Sequence, residues 1–171
     1  MDKDEARRLY GILKKIEFMA QLSLNELGDL VDHLQKCNFK KGDVVVRHGD
    51  PGDSFFLLAA GKVAIWGRNR NGKKVQFGFL GPEQYFGEMA LLTGEPRSAT
   101  IICEEPTQAY LLTKTDFDIT VRNNPTIVQE MMRTVERRRA QGRVMASRTD
   151  GAEPPAPSFL GRLKAFLNLG G

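Results

Sequence analysis

The sequence predicts a mainly β fold, a barrel or jelly roll flanked by helices, and three observations support this prediction. The chain has 171 residues, which is enough for one compact domain with additional helices. Short apolar runs broken by turn residues fill the region from residue 37 to residue 113. Apolar residues at helical spacing precede and follow that region. Many short, evenly spaced strands are typical of barrels and jelly rolls.

Two helices are predicted before the strands. Apolar residues recur at helical spacing within residues 5–17, which indicates a short amphipathic helix. Ser23 and Glu26 then form a capping-box pattern ahead of a second apolar stripe. Both helices are therefore expected to cover one side of the β region.

Six apolar runs predict the strands, and glycine-containing turns separate them. The runs cover residues 44–46, 55–58, 63–66, 75–79, 99–102 and 109–112. Asn71-Gly72 predicts a tight hairpin turn between the third and fourth runs. Two cysteines cannot form a disulfide framework, so Cys37 and Cys103 are predicted to be free thiols in strands.

Residues 86–101, with the sequence FGEMALLTGEPRSATI, carry the most specific pattern in the chain. Gly87 lets the backbone approach a ligand closely. A helical turn at residues 89–92 would present unpaired N–H groups to an anion, and Arg97 offers the same anion a fork of donors. Glu88 would repel that anion unless a neutral group such as a sugar hydroxyl lay beside it. An anion pocket next to a hydroxyl acceptor describes a ribose phosphate.

This segment resembles the phosphate-binding cassette of cyclic nucleotide-binding domains, the family of catabolite activator, kinase regulatory subunits and cyclic-nucleotide-gated channels. Phe86-Gly87-Glu88, Ala90-Leu91-Leu92 and Pro96-Arg97-Ser98-Ala99-Thr100 carry the resemblance, with further matches at residues 48–56 and 61–63. It spans roughly residues 10–140. The resemblance implies an eight-stranded jelly-roll barrel with N-terminal helices, a short cassette helix and a C-terminal lid helix.

The resemblance also implies a role for each cassette residue. Glu88 would accept a hydrogen bond from the ribose 2'-OH, and Arg97 would bind an exocyclic phosphate oxygen. Ser98 would offer a hydroxyl to the phosphate. Backbone N–H groups would line the phosphate at Gly87, Met89, Ala90 and Ala99. Glu83 stands where the family usually has glycine, so the turn into the cassette is expected to differ locally.

The base of a nucleotide needs an apolar wall and a cover. Ile65 and Phe77 are the candidates for the wall, with ordinary core packing as the alternative for each. Asn124-Pro125 has the pattern of a helix start, and by resemblance the helix that follows is the lid. Arg138 falls where related bacterial domains place an arginine over the base. A solvent-facing charge is the alternative for Arg138.

The predicted organisation has five parts. They are N-terminal helices at 1–36, a barrel at 37–113, hinge and lid helices at 114–148, a flexible linker at 149–158 and an amphipathic tail at 159–171. The tail is too short for a stable isolated helix, so it is expected to order on contact. A partner protein is the favoured contact, with the chain's own barrel and a membrane surface as alternatives.

Taken together, these patterns predict a cyclic nucleotide sensor, with cAMP favoured over cGMP. Binding would move the lid and the N-terminal helices and signal to a separate effector protein. Three alternatives stay open. Glu88 and Arg97 could be a surface ion pair, the barrel could be a ligand-blind interaction scaffold, or the chain could be one component of a cyclic-nucleotide-controlled transcription or kinase complex. No pattern assigns an oligomeric state.

Composition argues against several other classes. His33 and His48 are the only histidines and lie apart, so neither a metal site nor a metal-dependent enzyme is expected. Residues 133–148 hold six arginines and one glutamate, a charge run that indicates a solvated helix face rather than a direct nucleic-acid contact. The chain has no long apolar run and no signal-peptide pattern, so we expect a cytoplasmic protein without a membrane span.

Overall fold

A computed structural model of the chain describes residues 2–68, 72–121, 124, 129, 132, 133 and 136. Within them, the helices are α1 (Lys3–Leu13), α2 (Leu24–His33), α3 (Glu88–Thr93) and α4 (Lys114–Val121). The strands are β1 (Gln35–Phe39), β2 (Val44–Val46), β3 (Ser54–Ala60), β4 (Val63–Arg68), β5 (Lys74–Leu80), β6 (Tyr85–Phe86), β7 (Thr100–Cys103) and β8 (Thr107–Thr113).

The eight strands of the described residues form two antiparallel sheets. Sheet A has the order β1-β8-β3-β6, and sheet B has the order β2-β7-β4-β5. The mainly β fold with flanking helices is therefore confirmed. Cys37 and Cys103 lie in strands as free thiols, as predicted.

Strand β3 lies between two apolar cores, and its sequence explains why. Phe55 and Leu57 face the helical core, which lies between sheet A and helices α1, α2 and α4. Phe56 and Leu58 face the barrel core, which fills the space between the two sheets. Because successive side chains of a strand point to opposite faces, a strand covered on both sides has a continuous apolar run. Sheet A thus connects the helices to the inside of the barrel.

The N-terminal helices follow the sequence pattern with shifted ends. Asp2 caps α1 by accepting the N–H groups of Asp4 and Glu5 at 3.0 and 2.8 Å. The helix ends at Leu13, and residues 14–22 form turns instead of continuing it to residue 17. Around α2, the predicted capping box of Ser23 and Glu26 is present. The first strand begins at residue 35, two residues before the predicted start of the barrel at residue 37.

Two other predicted features differ in detail. Strands β4 and β5 form the expected hairpin, whose ladder ends at the pair Arg68 and Lys74. Asn71 of the predicted turn lies outside the described residues. Helix α4 begins at Lys114, because the Thr113 hydroxyl accepts the N–H of Asp116 at 3.1 Å and donates to its carboxylate at 2.6 Å. The run Thr115-Asp116-Phe117-Asp118 has a cap-like pattern in the sequence, but the capping residue in the structure is Thr113.

Residues predicted beyond α4 fall largely outside the described part of the chain. This applies to Pro125, to Arg138, to the linker at 149–158 and to the tail at 159–171. Asn124 is described, and its side-chain amide donates to the Glu26 carboxylate at 2.9 Å. That contact holds the chain after α4 against the N-terminal end of α2. None of the described helices is long and apolar enough to cross a membrane.

Polar side chains join α1 to sheet A at its outer edge. Lys36 of β1 donates to the Glu5 carboxylate at 2.8 Å, and the Tyr110 hydroxyl of β8 donates to the same carboxylate. Lys36 and Tyr110 together hold the pKa of Glu5 below its usual value. Burial raises the pKa of Tyr110 to about 12, and the bond to Glu5 acts in the same direction.

This junction predicts a loss of stability at high pH. Tyr110 keeps its proton more tightly in the folded state than in the unfolded state, whose pKa is about 10. Its stabilising effect should therefore be complete below about pH 10 and disappear as the pH rises to about 12. We expect the free energy of unfolding, measured by urea titration, to fall more steeply over this range in the wild type than in Tyr110→Phe. Parallel pH profiles of the two proteins would contradict the assignment.

The turn before β6 contains a strained residue. Glu83 has φ +64°, and no other non-glycine residue in the described segments has a positive φ. Its N–H donates to the Leu58 carbonyl at 2.8 Å, which fixes the turn against β3. Glu83 stands where the family usually has glycine, and the turn nevertheless keeps the left-handed conformation that glycine favours.

Glu83→Gly should stabilise the protein. Removing a left-handed non-glycine residue relieves about 1 to 2 kcal/mol, and the flexibility of glycine in the unfolded chain offsets about half of this. We expect a net gain of about 0.5 to 1 kcal/mol in urea unfolding. Glu83→Ala is the matched control, because it keeps the strain and loses only the exposed contact with Arg8 at 3.6 Å. A glycine variant no more stable than the alanine variant would show that the strain is not energetically important.

Candidate functional site

The predicted site begins at Gly87, where the chain leaves β6. Gly87 has φ +83°, and a Cβ atom there would lie 2.6 Å from Arg97 Nη1 and 2.6 Å from the Ser54 carbonyl oxygen. Both neighbours are polar atoms of the site rather than flexible apolar side chains. The absence of a side chain at residue 87 thus lets the backbone pass directly over the guanidinium.

Helix α3 follows immediately, as the apolar run predicted. The Thr93 hydroxyl donates to the Met89 carbonyl at 2.8 Å and accepts the N–H of Glu95 at 3.2 Å. Gly94, with φ +68°, follows the end of the helix. The N-terminal end of α3 therefore lies next to Gly87, with its first N–H groups unpaired within the helix.

Arg97 is the central charged group of the site. Its side chain is buried, with Nη1 donating to the Ser54 carbonyl at 2.7 Å and Nη2 donating to the Ser54 hydroxyl at 2.7 Å. Nη2 also lies 3.5 Å from the Asp53 carboxylate, and the guanidinium carbon lies 5.9 Å from the centre of the Phe56 ring. Strand β3 and the loop before it therefore hold the arginine in place.

The electrostatic surroundings of Arg97 are mixed. Burial lowers the pKa of the guanidinium below its usual value, while the carboxylates of Asp53, Asp50 and Glu88 raise it. Arginine stays protonated under such shifts, so a positive charge is held inside the protein. Glu88 is only 2% exposed and Arg97 only 7% exposed. These values contradict the alternative of a surface ion pair.

The candidates for the apolar wall meet at the barrel core. Ile65 and Ala99 are buried in it, and Phe77 packs against it. Ile65 pairs with Gly78 while Trp66 pairs with Gln76, so Phe77 is the extra residue of a β-bulge. The bulge places the Phe77 ring against Gly67, where a Cβ would collide with it.

The remaining candidates are less closely connected. Met89 lies within α3 and Ser98 directly follows Arg97, and both are half-buried. Ala90 belongs to α3. Arg138 lies outside the described residues. The structure therefore joins Gly87, Arg97 and the start of α3 into one unit and puts Ile65, Phe77 and Ala99 into the adjoining core.

Sequence reasoning missed the residues that hold the arginine. Asp53 directly precedes β3, Ser54 is the first residue of that strand, and Phe56 lies two residues further along it. The sequence offered one signal for this contact, the polar pair Asp53-Ser54 at the start of a strand that is buried on both faces. Its partner lies 43 residues away, so the contact has no local pattern. No cluster of potential metal ligands occurs among the residues that the structure describes.

Comparison with known proteins agrees with this geometry. The model of the cyclic nucleotide-binding domain matches residues 36–124. A cAMP-dependent protein kinase regulatory subunit of Dictyostelium discoideum is 39% identical over 99 residues, which cover 56% of this chain and 30% of that protein. This chain thus spans less than a third of the length of that curated relative.

Solved structures show the same fold. The N-terminal domain of a transcriptional regulator from Streptomyces coelicolor A3(2) superposes with a TM-score of 0.65 at 25% identity, over 82% of this chain and 99% of that one. The regulatory domain of Toxoplasma gondii PKA, co-crystallised with cAMP, superposes with a TM-score of 0.63 at 21% identity, over 78% and 51% of the two chains. Because the family model covers more than half of its residues, the chain belongs to the cyclic nucleotide-binding domain family.

Proposed function

We propose that this chain is a cAMP sensor that binds the nucleotide beside Gly87 and Arg97 and transmits its presence to a separate effector protein. The buried guanidinium of Arg97 at the start of α3 is the observation that carries the proposal. A guanidinium has five N–H donors, and Ser54 accepts one from each Nη atom. The Asp53 carboxylate lies 3.5 Å from Nη2 and accepts a third, so the remaining donors would serve a phosphate oxygen.

The cassette residues would divide the recognition between them. Arg97 would bind an exocyclic phosphate oxygen, while Glu88 would accept the ribose 2'-OH. The Ser98 hydroxyl would add a donor to the phosphate. The backbone N–H groups lining the phosphate would be those of Gly87, Met89, Ala90 and Ala99. Burial of Glu88 supports this role, because a buried carboxylate gains from a neutral hydroxyl donor more than an exposed one does.

The base would lie toward the barrel core. Ile65 and Phe77 would form its apolar wall, and the contact of both residues with one core supports that assignment. Arg138 of the lid region would cover the base. A regulatory subunit of a cAMP-dependent kinase and a kinase regulatory domain co-crystallised with cAMP are among the relatives, which favours cAMP over cGMP as the ligand.

Signalling would follow a shift between two arrangements of the domain. A ligand moves such an equilibrium only through its different affinity for the two states. Hinge and lid residues at 114–148 and the N-terminal helices would change position, and the amphipathic tail at 159–171 would dock the effector. Since kinase regulatory subunits are among the relatives, a regulatory rather than catalytic role is the one that we propose.

Thermal unfolding with nucleotide tests the role of Arg97. A ligand at 100 times its dissociation constant stabilises the folded state by about 2.7 kcal/mol, or roughly 5 to 10 °C in Tm for a domain of this size. We expect the wild type to shift by this amount with cAMP and by less with the same concentration of cGMP, and Arg97→Ala to shift hardly at all with either.

Arg68→Ala is the matched control for that experiment. Arg68 is exposed and donates to the Gly72 carbonyl at 2.7 Å. It is the last residue of β4 and does not belong to the cassette at residues 86–101. Its variant should keep the full nucleotide shift. Equal shifts in wild type and Arg97→Ala would remove Arg97 from the site, and no shift of the wild type with either nucleotide would favour the ligand-blind scaffold.

Gly87→Ala tests the close approach of the backbone. The new methyl group would overlap both Arg97 Nη1 and the Ser54 carbonyl, each at 2.6 Å, in a conformation with φ +83°. We expect a loss of about 2 to 4 kcal/mol in unfolding free energy and a loss of nucleotide binding in calorimetry. Gly42→Ala has a similar φ of +88° but nothing within 4 Å, so it should cost only about 1 to 2 kcal/mol and keep binding. Equal effects of the two substitutions would show that backbone strain alone matters at residue 87.

A further inference from the structure

Lys114 touches three separate parts of the site. It is the first residue of α4, directly after β8. Its Nζ donates to the Leu91 carbonyl of α3 at 2.9 Å and to the Asp118 carboxylate of α4 at 3.1 Å. Its backbone N–H donates to the Asp53 carbonyl at 2.7 Å. One residue thus connects the cassette helix, the loop that holds Arg97, and the first helix after the barrel.

The bond to α3 is chemically favourable at that place. Leu91 belongs to the last turn of α3, where carbonyl groups have no partner within the helix. The C-terminal end of a helix carries partial negative charge, so an ammonium group there is stabilised. The lysine side chain lies beside Gly94, since a Cβ atom at residue 94 would be in ordinary van der Waals contact with Lys114 Cε at 3.7 Å. Lys114 thus closes the end of α3 opposite to the end that meets Gly87.

The backbone bond places Lys114 next to the arginine as well. Asp53 precedes Ser54, which accepts both hydrogen bonds from Arg97. A displacement of this loop therefore acts on Arg97 and on the start of α4 together. Lys114 is itself part of α4, so its bond to the Leu91 carbonyl joins the far end of α3 directly to the start of α4, while Asp118, one helical turn further along, accepts a second hydrogen bond from the ammonium group.

We propose that Lys114 is a positioning residue that couples the cassette helix to α4. This inference rests on the proposed function, since the movement to be coupled is the one caused by a nucleotide at residues 87–90. When the phosphate shifts α3, the bond from the Leu91 carbonyl to Lys114 Nζ carries that shift to α4. Without the ammonium group, α3 responds to the nucleotide while α4 does not.

Hydrogen–deuterium exchange of the full chain, with and without saturating cAMP, tests the proposal. In the wild type, cAMP should change exchange in both α3 and α4. In Lys114→Met, which keeps the length of the side chain without its charge, the change should persist in α3 and be lost in α4. Lys114→Arg should restore the change in α4. Because every protein is saturated, differences in affinity do not enter the comparison.

A control variant and a binding measurement separate this role from a merely structural one. Asp118→Ala removes the second partner of Nζ but leaves the bond to Leu91, so it should behave as the wild type does. Calorimetry should give a cAMP dissociation constant that is raised about 5-fold or more in Lys114→Met, which is the size of a typical coupling between sites. In Asp118→Ala the dissociation constant should rise less than about 2-fold. A structural role alone would raise exchange equally with and without cAMP.

The failures of the two proposals are distinguishable. A cAMP-induced change in α4 that is as large in Lys114→Met as in the wild type overturns the coupling role and leaves the proposed function intact. A wild type in which neither cAMP nor cGMP changes exchange in α3 overturns the proposed function, and the coupling role with it.

Discussion

The structure depends on one buried positive charge, the Arg97 guanidinium, held between strand β3 and Gly87. An arginine inside a protein is tolerated only when its donors are satisfied, and Ser54 satisfies Arg97 twice, through its carbonyl and its hydroxyl. Each such charge-assisted bond contributes about 1.5 to 3 kcal/mol. Removing Ser54 or moving its strand would leave two guanidinium donors without these acceptors. Strand β3, the loop before it and the cassette must therefore keep one relative position.

That constraint explains why local features cluster around the arginine. Gly87 has no side chain because the guanidinium and the Ser54 carbonyl fill the space where one would lie. The nearby carboxylates of Asp53 and Glu88 offset the loss of hydration that burial imposes on Arg97. Such an arrangement keeps a positive charge inside the protein, where screening weakens it less than in water. A phosphate bound there would meet a cation that is already oriented.

Sheet A is covered on both faces, so it connects this site to the rest of the domain. Its central strand β3 holds Arg97 through Ser54, contributes to the barrel core on one face and packs against the helices on the other. Lys114 adds a polar connection from the cassette to α4, and Asn124 ties the following residues to α2. A regulatory domain needs such connections because interfaces with two discrete arrangements turn a small displacement into a signal. The packing thus fits the proposed role of a module that reports its ligand to another protein.

The sequence by itself determined the fold class, six of the eight described strands and the pattern of residues 86–101. Alternating and continuous apolar runs depend on local periodicity, and the spacing of Gly87, Glu88 and Arg97 is a local pattern, so both are visible in the chain. Tertiary structure alone decided that Ser54 holds Arg97, that Phe77 forms a bulge and that Lys114 reaches the Leu91 carbonyl. These contacts join residues far apart in the chain or depend on the register of two strands. No local pattern encodes them, because they exist only when the sheets and helices have packed.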